Sequence, residues 1–331
     1  MPLTPDDQIV DILENDETYG RRIRGNRLPE PRALYNRWEK QNWAIADVDV
    51  LRDRGQWMNL RPFARKELLA ALDELEVGEV FVSRTLSTLV CHVPSDADRL
   101  FLSTQVADEA RHAQFFQDYL HLAAGMETTT SERGAQDEES AYAQLFEPRL
   151  RASIESVAER GGDRQAWHAA VVEYHLVTEG VLAAAALHLT RQLAHRLGLV
   201  ALDEGLTNVI RDESRHLTYG LVATRAAVEG GLREEMAQVY IDSTRAAGQV
   251  VVNPYTRAMT PALKPALAQR GALIRAQWQQ TKERALRQLR LIGLHDFVDA
   301  TSEQWDRGCR EALAKYEEVW GAPHPSTAKA A

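Results

Sequence analysis

The chain is poor in cysteine, with two such residues among 331. Cys91 and Cys309 form neither the paired spacing of a thiolate metal site nor a disulfide framework. The first residues lack the basic and apolar pattern of a secretory signal peptide. We therefore expect a reduced protein of the cytoplasm.

Positive charge and long apolar runs are also scarce. The sequence has 39 Lys and Arg residues against 48 Asp and Glu residues, a formal net charge of −9, which would repel a phosphate backbone. No apolar run approaches the length of about eighteen residues that a membrane-spanning helix needs. No flavin or nicotinamide fingerprint is visible. The sequence therefore predicts no nucleic-acid partner and no membrane span, and any redox reaction needs an external electron donor.

Strand patterns are missing as well. Nothing alternates with period two for long enough to predict a sheet, whereas apolar residues recur at helical spacing. No linker rich in proline, glycine or serine divides residues 1–331, which we predict to be one all-α domain. Up to about Leu60 the chain looks loop-rich and broken by Pro29 and Pro31. We expect core helices at about 62–93, 96–124, 164–197 and 202–229, helical segments over 232–320, and a disordered tail over 321–331.

Two nearly identical pentapeptides stand out, Asp-Glu-Ala-Arg-His at 108–112 and Asp-Glu-Ser-Arg-His at 212–216. Residues three apart in a helix lie about 60° from one another around the axis, so each Glu-x-x-His presents two ligands on one face. A single such pair is usually a solvated ion pair, but two copies in matched context predict metal ligands. Helical bundles that carry two such pairs and two lone glutamates hold two metals.

The lone glutamates are predicted from their apolar surroundings. Glu79 lies on the buried stripe of its helix, and Glu76 on the same face is its rival. We prefer Glu79 because Gly78 beside it would let a neighbouring helix or a ligand approach closely. Glu179 is almost the only charge in its stretch, and a buried carboxylate needs a partner.

The ligand order predicts one metal held by Glu79, Glu109 and His112 and another held by Glu179, Glu213 and His216, with Glu109 and Glu213 bridging. Four carboxylates and two imidazoles without a thiolate suit iron or manganese better than a structural zinc site. Two such metals can pass two electrons to O2. Asp108 and Asp212 precede the ligand glutamates and are expected to accept the second N–H of the ligand histidines. The alternative for both aspartates is an exposed position on the helix.

These motifs resemble the metal ligands of the ferritin-like family that includes the ribonucleotide reductase small subunit. The likeness is closest to the ribonucleotide-reductase-like ligand-binding oxidases, over about residues 34–228, and includes the entry segment with a buried Trp43. Val82 and Tyr174 stand where those oxidases carry a valine and a tyrosine joined by an ether cross-link. The resemblance implies a ferritin-like four-helix bundle core with flanking helices and a fatty-acid-like ligand, and we also expect a homodimer.

Phe116 stands where the classical reductase subunit carries its radical tyrosine. Because an apolar ring cannot form a stable phenoxyl radical, a tyrosyl-radical reductase is disfavoured, although reductase subclasses with a manganese/iron centre stay open. Val209 replaces an extra metal-binding histidine of the diiron arylamine N-oxygenases, which counts against that group.

The function we expect is that of a dimetal oxidase or oxygenase. It would use an Fe/Fe or Mn/Fe centre and O2 to oxidise a C–H bond of an apolar ligand or of its own Val82. The alternatives are a reductase small subunit, a diiron N-oxygenase or hydroxylase of secondary metabolism, and, outside enzymes, an iron-storing bundle or a metal-holding scaffold.

Overall fold

A computed structural model describes residues 28–129, 132, 141–258 and 264–328. The α-helices are α1 (Pro31–Gln41), α2 (Arg54–Asn59), α3 (Pro62–Cys91), α4 (Asp96–Asp118), α5 (Ala141–Leu145), α6 (Glu147–Arg160), α7 (Arg164–Val171), α8 (Ala184–Leu197), α9 (Val200–Glu229), α10 (Arg233–Val252), α11 (Lys264–Leu291) and α12 (Val298–Trp320). Short 3₁₀ turns at Ile45–Asp47, Val50–Asp53 and His295–Phe297 join some of them. No strand occurs in these ranges, so the all-α prediction is confirmed.

Local signals set the ends of the core helices, which lie within a few residues of the predicted bounds. Pro62 occupies the first turn of α3, where the missing N–H costs nothing. Ser95 caps α4 by accepting the backbone N–H of Asp98 at 3.2 Å. Gly198 ends α8 in the left-handed conformation, with φ of 71°. The prediction that Pro31 breaks the chain is wrong, because Pro31 begins α1.

The third predicted core helix is not regular throughout. Val172–Ala183 between α7 and α8 is π-helical, and so is Tyr119–Ala123 after α4. Thr178 Oγ1 donates to the carbonyl of Glu173, five residues earlier, at 2.9 Å. π-helical turns occur mostly as short insertions at functional sites. Glu179 lies in this segment, and no sequence signal marks the change in helical pitch.

The chain forms two compact units. The first takes its residues from 1–137, 154–167 and 183–222, and the second from 138–153, 168–182 and 223–331. A core of large apolar side chains fills the first unit, including Leu72, Phe115 and Phe116. Because each unit draws on three separate stretches, the single domain over 1–331 stays a prediction.

Segment 164–197 is long and apolar enough to cross a membrane, with a mean hydropathy of 1.4 in its most apolar window. In the structure 83% of that window is buried. A buried core helix can have the same length and apolar composition as a membrane-spanning helix. The high burial of this segment is that of a core helix.

Gly205 on α9 allows a close packing contact. A Cβ atom at this position would lie 2.0 Å from Cζ of the buried Phe115. We expect Gly205→Ala to lower the free energy of unfolding by about 1–3 kcal/mol, because the ring has to move within a filled core. Urea denaturation of the metal-free protein measures the change.

Gly78→Ala on α3 is the matched control for this substitution. Nothing in the described structure lies within 4 Å of a Cβ at Gly78, so alanine should be neutral or stabilise the helix by up to about 1 kcal/mol. Equal losses of stability in the two variants would contradict the packing explanation.

The tail was predicted to be disordered from residue 321, and this is wrong for residues 324–328. Pro325–Thr327 forms a 3₁₀ turn. His324 is buried, with its ring centroid 5.4 Å from that of Trp278 and 4.7 Å from that of Tyr316. Arg275 donates to the carbonyl of Ala328 at 3.2 Å. Aromatic packing therefore holds the tail, and residues 329–331 lie outside the described part of the chain.

His324 makes this contact sensitive to pH. Burial, with a smaller effect of the Arg270 charge, lowers its pKa from 6.5 to about 4, and its Nδ1 accepts the backbone N–H of Ser326 at 3.1 Å. Between these two pKa values the unfolded chain binds more protons, so stability falls as the pH drops from about 6.5 toward 4.

We expect His324→Gln to flatten this dependence when urea midpoints at pH 7 and pH 5 are compared. The exposed His295 supplies the control variant His295→Gln, which should keep the dependence of the wild type. An unchanged pH dependence in His324→Gln would contradict the assignment.

Candidate metal centre

Three helices of the first unit bring five of the predicted ligands together. Glu79 comes from α3, Glu109 and His112 come from α4, and Glu213 and His216 come from α9. All five side chains are buried. One donor atom each from Glu79, Glu109, His112 and Glu213 lies within 4.8 Å of the others. The glutamate-x-x-histidine spacing thus places both ligand pairs on inward faces.

The two imidazoles point Nδ1 at the carboxylates. His112 Nδ1 lies 3.4 Å from Glu109 Oε2 and 3.3 Å from Glu213 Oε1. His216 Nδ1 lies 3.3 Å from Glu109 Oε1 and 3.5 Å from Glu213 Oε2. Each of these carboxylates therefore faces both imidazoles with separate oxygens, an arrangement that suits a carboxylate shared by two metals. Glu79 Oε2 lies 3.5 Å from His112 Nδ1 alone.

The outer nitrogens of the histidines bind the aspartates in a crossed pattern. His112 Nε2 lies 3.2 Å from Asp212 Oδ2, and His216 Nε2 lies 3.1 Å from Asp108 Oδ2. A proton on Nε2 that is donated to the carboxylate leaves Nδ1 as the ligand atom. Contacts between the aspartates and the histidines were expected. It was not expected that the aspartate of each pentapeptide would contact the histidine of the other pentapeptide.

Two arginines neutralise the buried aspartates. Arg215, fully buried, donates from Nη2 to Asp108 Oδ2 at 3.0 Å and to Asp212 Oδ1 at 2.6 Å. Arg111 bonds both aspartates too, reaching Asp212 Oδ2 at 2.9 Å. Burial acts to raise the pKa of Asp212, but His112 and Arg215 hold it well below its usual range. This role of the arginines was not predicted, although their repetition in both pentapeptides was the available signal.

Two indole N–H groups complete the hydrogen bonds to the aspartates. Trp43 Nε1 donates to Asp212 Oδ2 at 2.7 Å, and this tryptophan is buried as expected. Trp38 Nε1 on α1 donates to Asp108 Oδ1 at 2.8 Å. The contact of Trp38 was not predicted, because two residues seventy positions apart leave no local pattern in the sequence.

The carboxylates and imidazoles of the cluster have shifted pKa values. Burial raises the pKa of Glu79 to about 8, against the effect of His112. Burial also acts to raise the pKa of Glu213, but His216 and His112 lower it to about 2. Burial acts to lower the pKa of both histidines, yet the surrounding carboxylates raise each well above its usual value.

Bound dications would take the place of the protons that these groups carry without metal. Within the described chain no hydrogen bond reaches Glu109 Oε2. The donor set therefore fits a pair of metal ions.

Glu76, the rival of Glu79, makes other contacts. Its Oε1 accepts from Gln117 Nε2 at 2.9 Å and from Thr129 Oγ1 at 3.2 Å. Glu79 faces the cluster. Nothing in the described chain packs within 4 Å of a Cβ at Gly78, so the expected close approach of a helix is wrong there, whereas the approach of a ligand stays a prediction.

The remaining predicted site residues are buried in their own units. Glu179 and Tyr174 lie in the π-helical segment of the second unit. Val82 on α3 and Phe116 on α4 belong to the first unit, where the Phe116 ring packs 5.4 Å from that of Phe115. The roles of these four residues stay predictions.

Solved structures with a similar fold include R2-like ligand-binding oxidases. The one from Sulfolobus acidocaldarius is 20% identical, with a TM-score of 0.58, and the match covers 91% of this chain and 94% of that chain. A variant R2-like ligand-binding oxidase with an aerobically reconstituted Mn/Fe cofactor is 18% identical, with a TM-score of 0.59, over 84% of this chain and 92% of that chain. The prediction of a ferritin-like helical fold is confirmed.

Residues 35–230 match the methane/phenol/alkene hydroxylase family. The matched range is more than half of the 331 residues and includes every predicted metal ligand. The chain therefore belongs to the methane/phenol/alkene hydroxylase family.

Proposed function

We propose that the protein is an O2-dependent dimetal oxidase or oxygenase that oxidises a C–H bond of an apolar ligand. The observation that carries this proposal is the pair of carboxylates, Glu109 and Glu213, that each face both ligand imidazoles. Membership of a hydroxylase family supports an oxidoreductase. A Mn/Fe cofactor is present in structures of similar fold, and we propose an Fe/Fe or Mn/Fe pair here.

Six residues would hold the pair: Glu79, Glu109, His112, Glu179, Glu213 and His216. For Glu179, its burial and its matched distance in sequence from the second pentapeptide support the assignment. When bound, the pair supplies the two electrons that reduce O2 and a strong oxidant at the site.

The protein side chains hold protons in defined places. The ligand carboxylates and imidazole Nδ1 atoms release theirs when metals bind, whereas Asp212 and Asp108 keep the histidine Nε2 protons in place. Phe116 places a ring that resists oxidation in the buried core.

The proposed substrate is an apolar molecule. The family is described by methane, phenol and alkene hydroxylation, and the structures of similar fold are described as ligand-binding. We propose a fatty-acid-like ligand on the resemblance to the ligand-binding oxidases. Electrons would come from an external donor, and we propose a cytoplasmic homodimer.

The test is to add O2 to anaerobic protein loaded with Fe(II) alone or with Mn(II) and Fe(II). A transient visible band that decays with oxidation of an added apolar substrate supports the proposal. A stable ferric mineral would instead indicate iron storage. Anomalous diffraction at the iron and manganese edges would identify the bound pair.

A second possible target of the oxidant is the protein itself. Removal of one hydrogen from Val82 Cβ and one from the Tyr174 hydroxyl, a two-electron oxidation, would join the two residues by an ether. The mass of intact protein should then fall by two hydrogens after aerobic metal loading, and peptide mapping should place the loss on these residues. An unchanged mass in loaded, oxidised protein would reject the cross-link.

A further inference from the structure

A continuous path of contacts leads from the metal centre to the surface of the first unit. It starts at His216 Nε2, 3.1 Å from Asp108 Oδ2. Asp108 Oδ1 accepts the indole N–H of Trp38 at 2.8 Å. On α1 the ring of Trp38 then lies 6.1 Å from that of Tyr35, tilted by 32°. Both α1 side chains are partly exposed, so the path ends within reach of solvent.

Each aromatic residue on this path has a carboxylate beside its polar atom. Asp108 accepts the Trp38 N–H, so this proton stays hydrogen-bonded when the indole is oxidised. Arg111 and Arg215 offset the charge of the carboxylate. Tyr35 donates its hydroxyl proton to Glu39 Oε1 at 3.0 Å. A phenol that loses an electron becomes a strong acid, and the Glu39 carboxylate is placed to accept its proton. Each aromatic residue of the path therefore has a carboxylate that accepts its hydrogen bond.

The second tryptophan of the centre differs in the groups that pack on its ring. Trp43 also donates to an aspartate, but the guanidinium of Arg111 lies 5.0 Å from the centroid of its ring. A fixed positive charge over the ring disfavours a second positive charge on it. The ring packed edge-on against Trp43 is Phe115, at 6.1 Å, and a phenyl ring is far harder to oxidise than a phenol. Because the described structure places no tyrosine or tryptophan ring against Trp43, the outward path runs through Trp38.

We infer that Trp38 and Tyr35 form a relay that carries an oxidising equivalent outward from the metal centre and, equivalently, an electron inward from a one-electron donor. The inference rests on the proposed function, which supplies the oxidant. The donor would be a reduced flavin or iron–sulfur protein that docks near Tyr35.

The electrons and protons of the relay balance. A one-electron oxidant at the centre takes an electron from Trp38, whose radical cation keeps its N–H on Asp108. Tyr35 returns an electron to Trp38 and passes its hydroxyl proton to Glu39. The donor then reduces the phenoxyl radical, and Glu39 gives the proton back. In the absence of substrate this path discharges the oxidant before it damages the core.

The experiment is a laser flash measurement on anaerobic protein loaded with Fe(II). A photogenerated ruthenium(III) tris-bipyridine complex takes an electron from the protein surface. Transient absorbance then follows the phenoxyl radical, and electron paramagnetic resonance follows oxidation of the ferrous centre. The variants are Trp38→Phe and Tyr35→Phe. The controls are Trp320→Phe and Tyr255→Phe, which change the same residue types in the second unit.

We expect oxidation of the ferrous centre to be several-fold slower in both relay variants and unchanged in both controls. Tyr35→Phe should also remove the transient phenoxyl signal. Tyr35→Phe separates the relay from a structural role, because Tyr35 bonds neither Asp108 nor any ligand, and equal metal content in all variants confirms that the centre is intact. Equal rates in wild type and both relay variants would overturn the relay. The flash measurement needs no O2. It therefore tests the relay separately from the proposed function, which the absence of a visible band after addition of O2 would contradict.

Discussion

Replacement of Glu213 by alanine is expected to remove at least one of the two metals and all reaction with O2. The two oxygens of Glu213 lie 3.3 Å and 3.5 Å from the Nδ1 atoms of the two histidines, so its loss takes a ligand atom from each metal position. The helices should stay formed, because most of their stability comes from apolar packing. Metal content per protein, measured by elemental mass spectrometry, and circular dichroism check the two parts of this expectation.

Glu109→Ala should behave in the same way, because that carboxylate also faces both imidazoles. The control is Glu229→Ala, on the same helix as Glu213 with its side chain 66% exposed, which should keep both metals. Full metal occupancy in Glu213→Ala and Glu109→Ala would reject the bridging assignment.

Loss of the Arg215 charge should cause the largest loss of stability. In Arg215→Met the buried Asp108 and Asp212 lose the guanidinium that bonds both of them. Breaking a buried ion pair by removing one partner costs about 3–5 kcal/mol, because the other charge stays buried and uncompensated. Urea unfolding of metal-free protein measures this loss. The affinity for metal should fall as well, by about 10–100-fold, because the two aspartates orient His112 and His216, the proposed ligands.

Arg225→Met is the matched control on the same helix. Arg225 pairs with the exposed Glu229, and a surface ion pair contributes about 0–1 kcal/mol. A free energy of unfolding equally close to wild type in Arg215→Met and Arg225→Met would contradict the prediction. That result would show that Arg111 alone neutralises the aspartates.

Much of the fold could be predicted because its signals are local. Pro62 and Gly198 mark helix ends by their own backbone preferences. Apolar spacing showed which faces are buried, and that was enough to expect an all-α chain. The tail shows the limit of such reasoning, because His324 is ordered only by rings from two other helices.

The candidate site divides in the same way. The sequence by itself determined that Glu109 and His112, and again Glu213 and His216, share a helix face. This follows because residues three apart always lie about 60° from one another around the helix axis. Only the tertiary structure decided that the aspartates cross between the pentapeptides, that two arginines neutralise them, and that Trp38 joins Asp108 to the surface. The reason is that helical geometry relates close neighbours in sequence, whereas these contacts join residues about seventy to a hundred positions apart and depend on how whole helices pack.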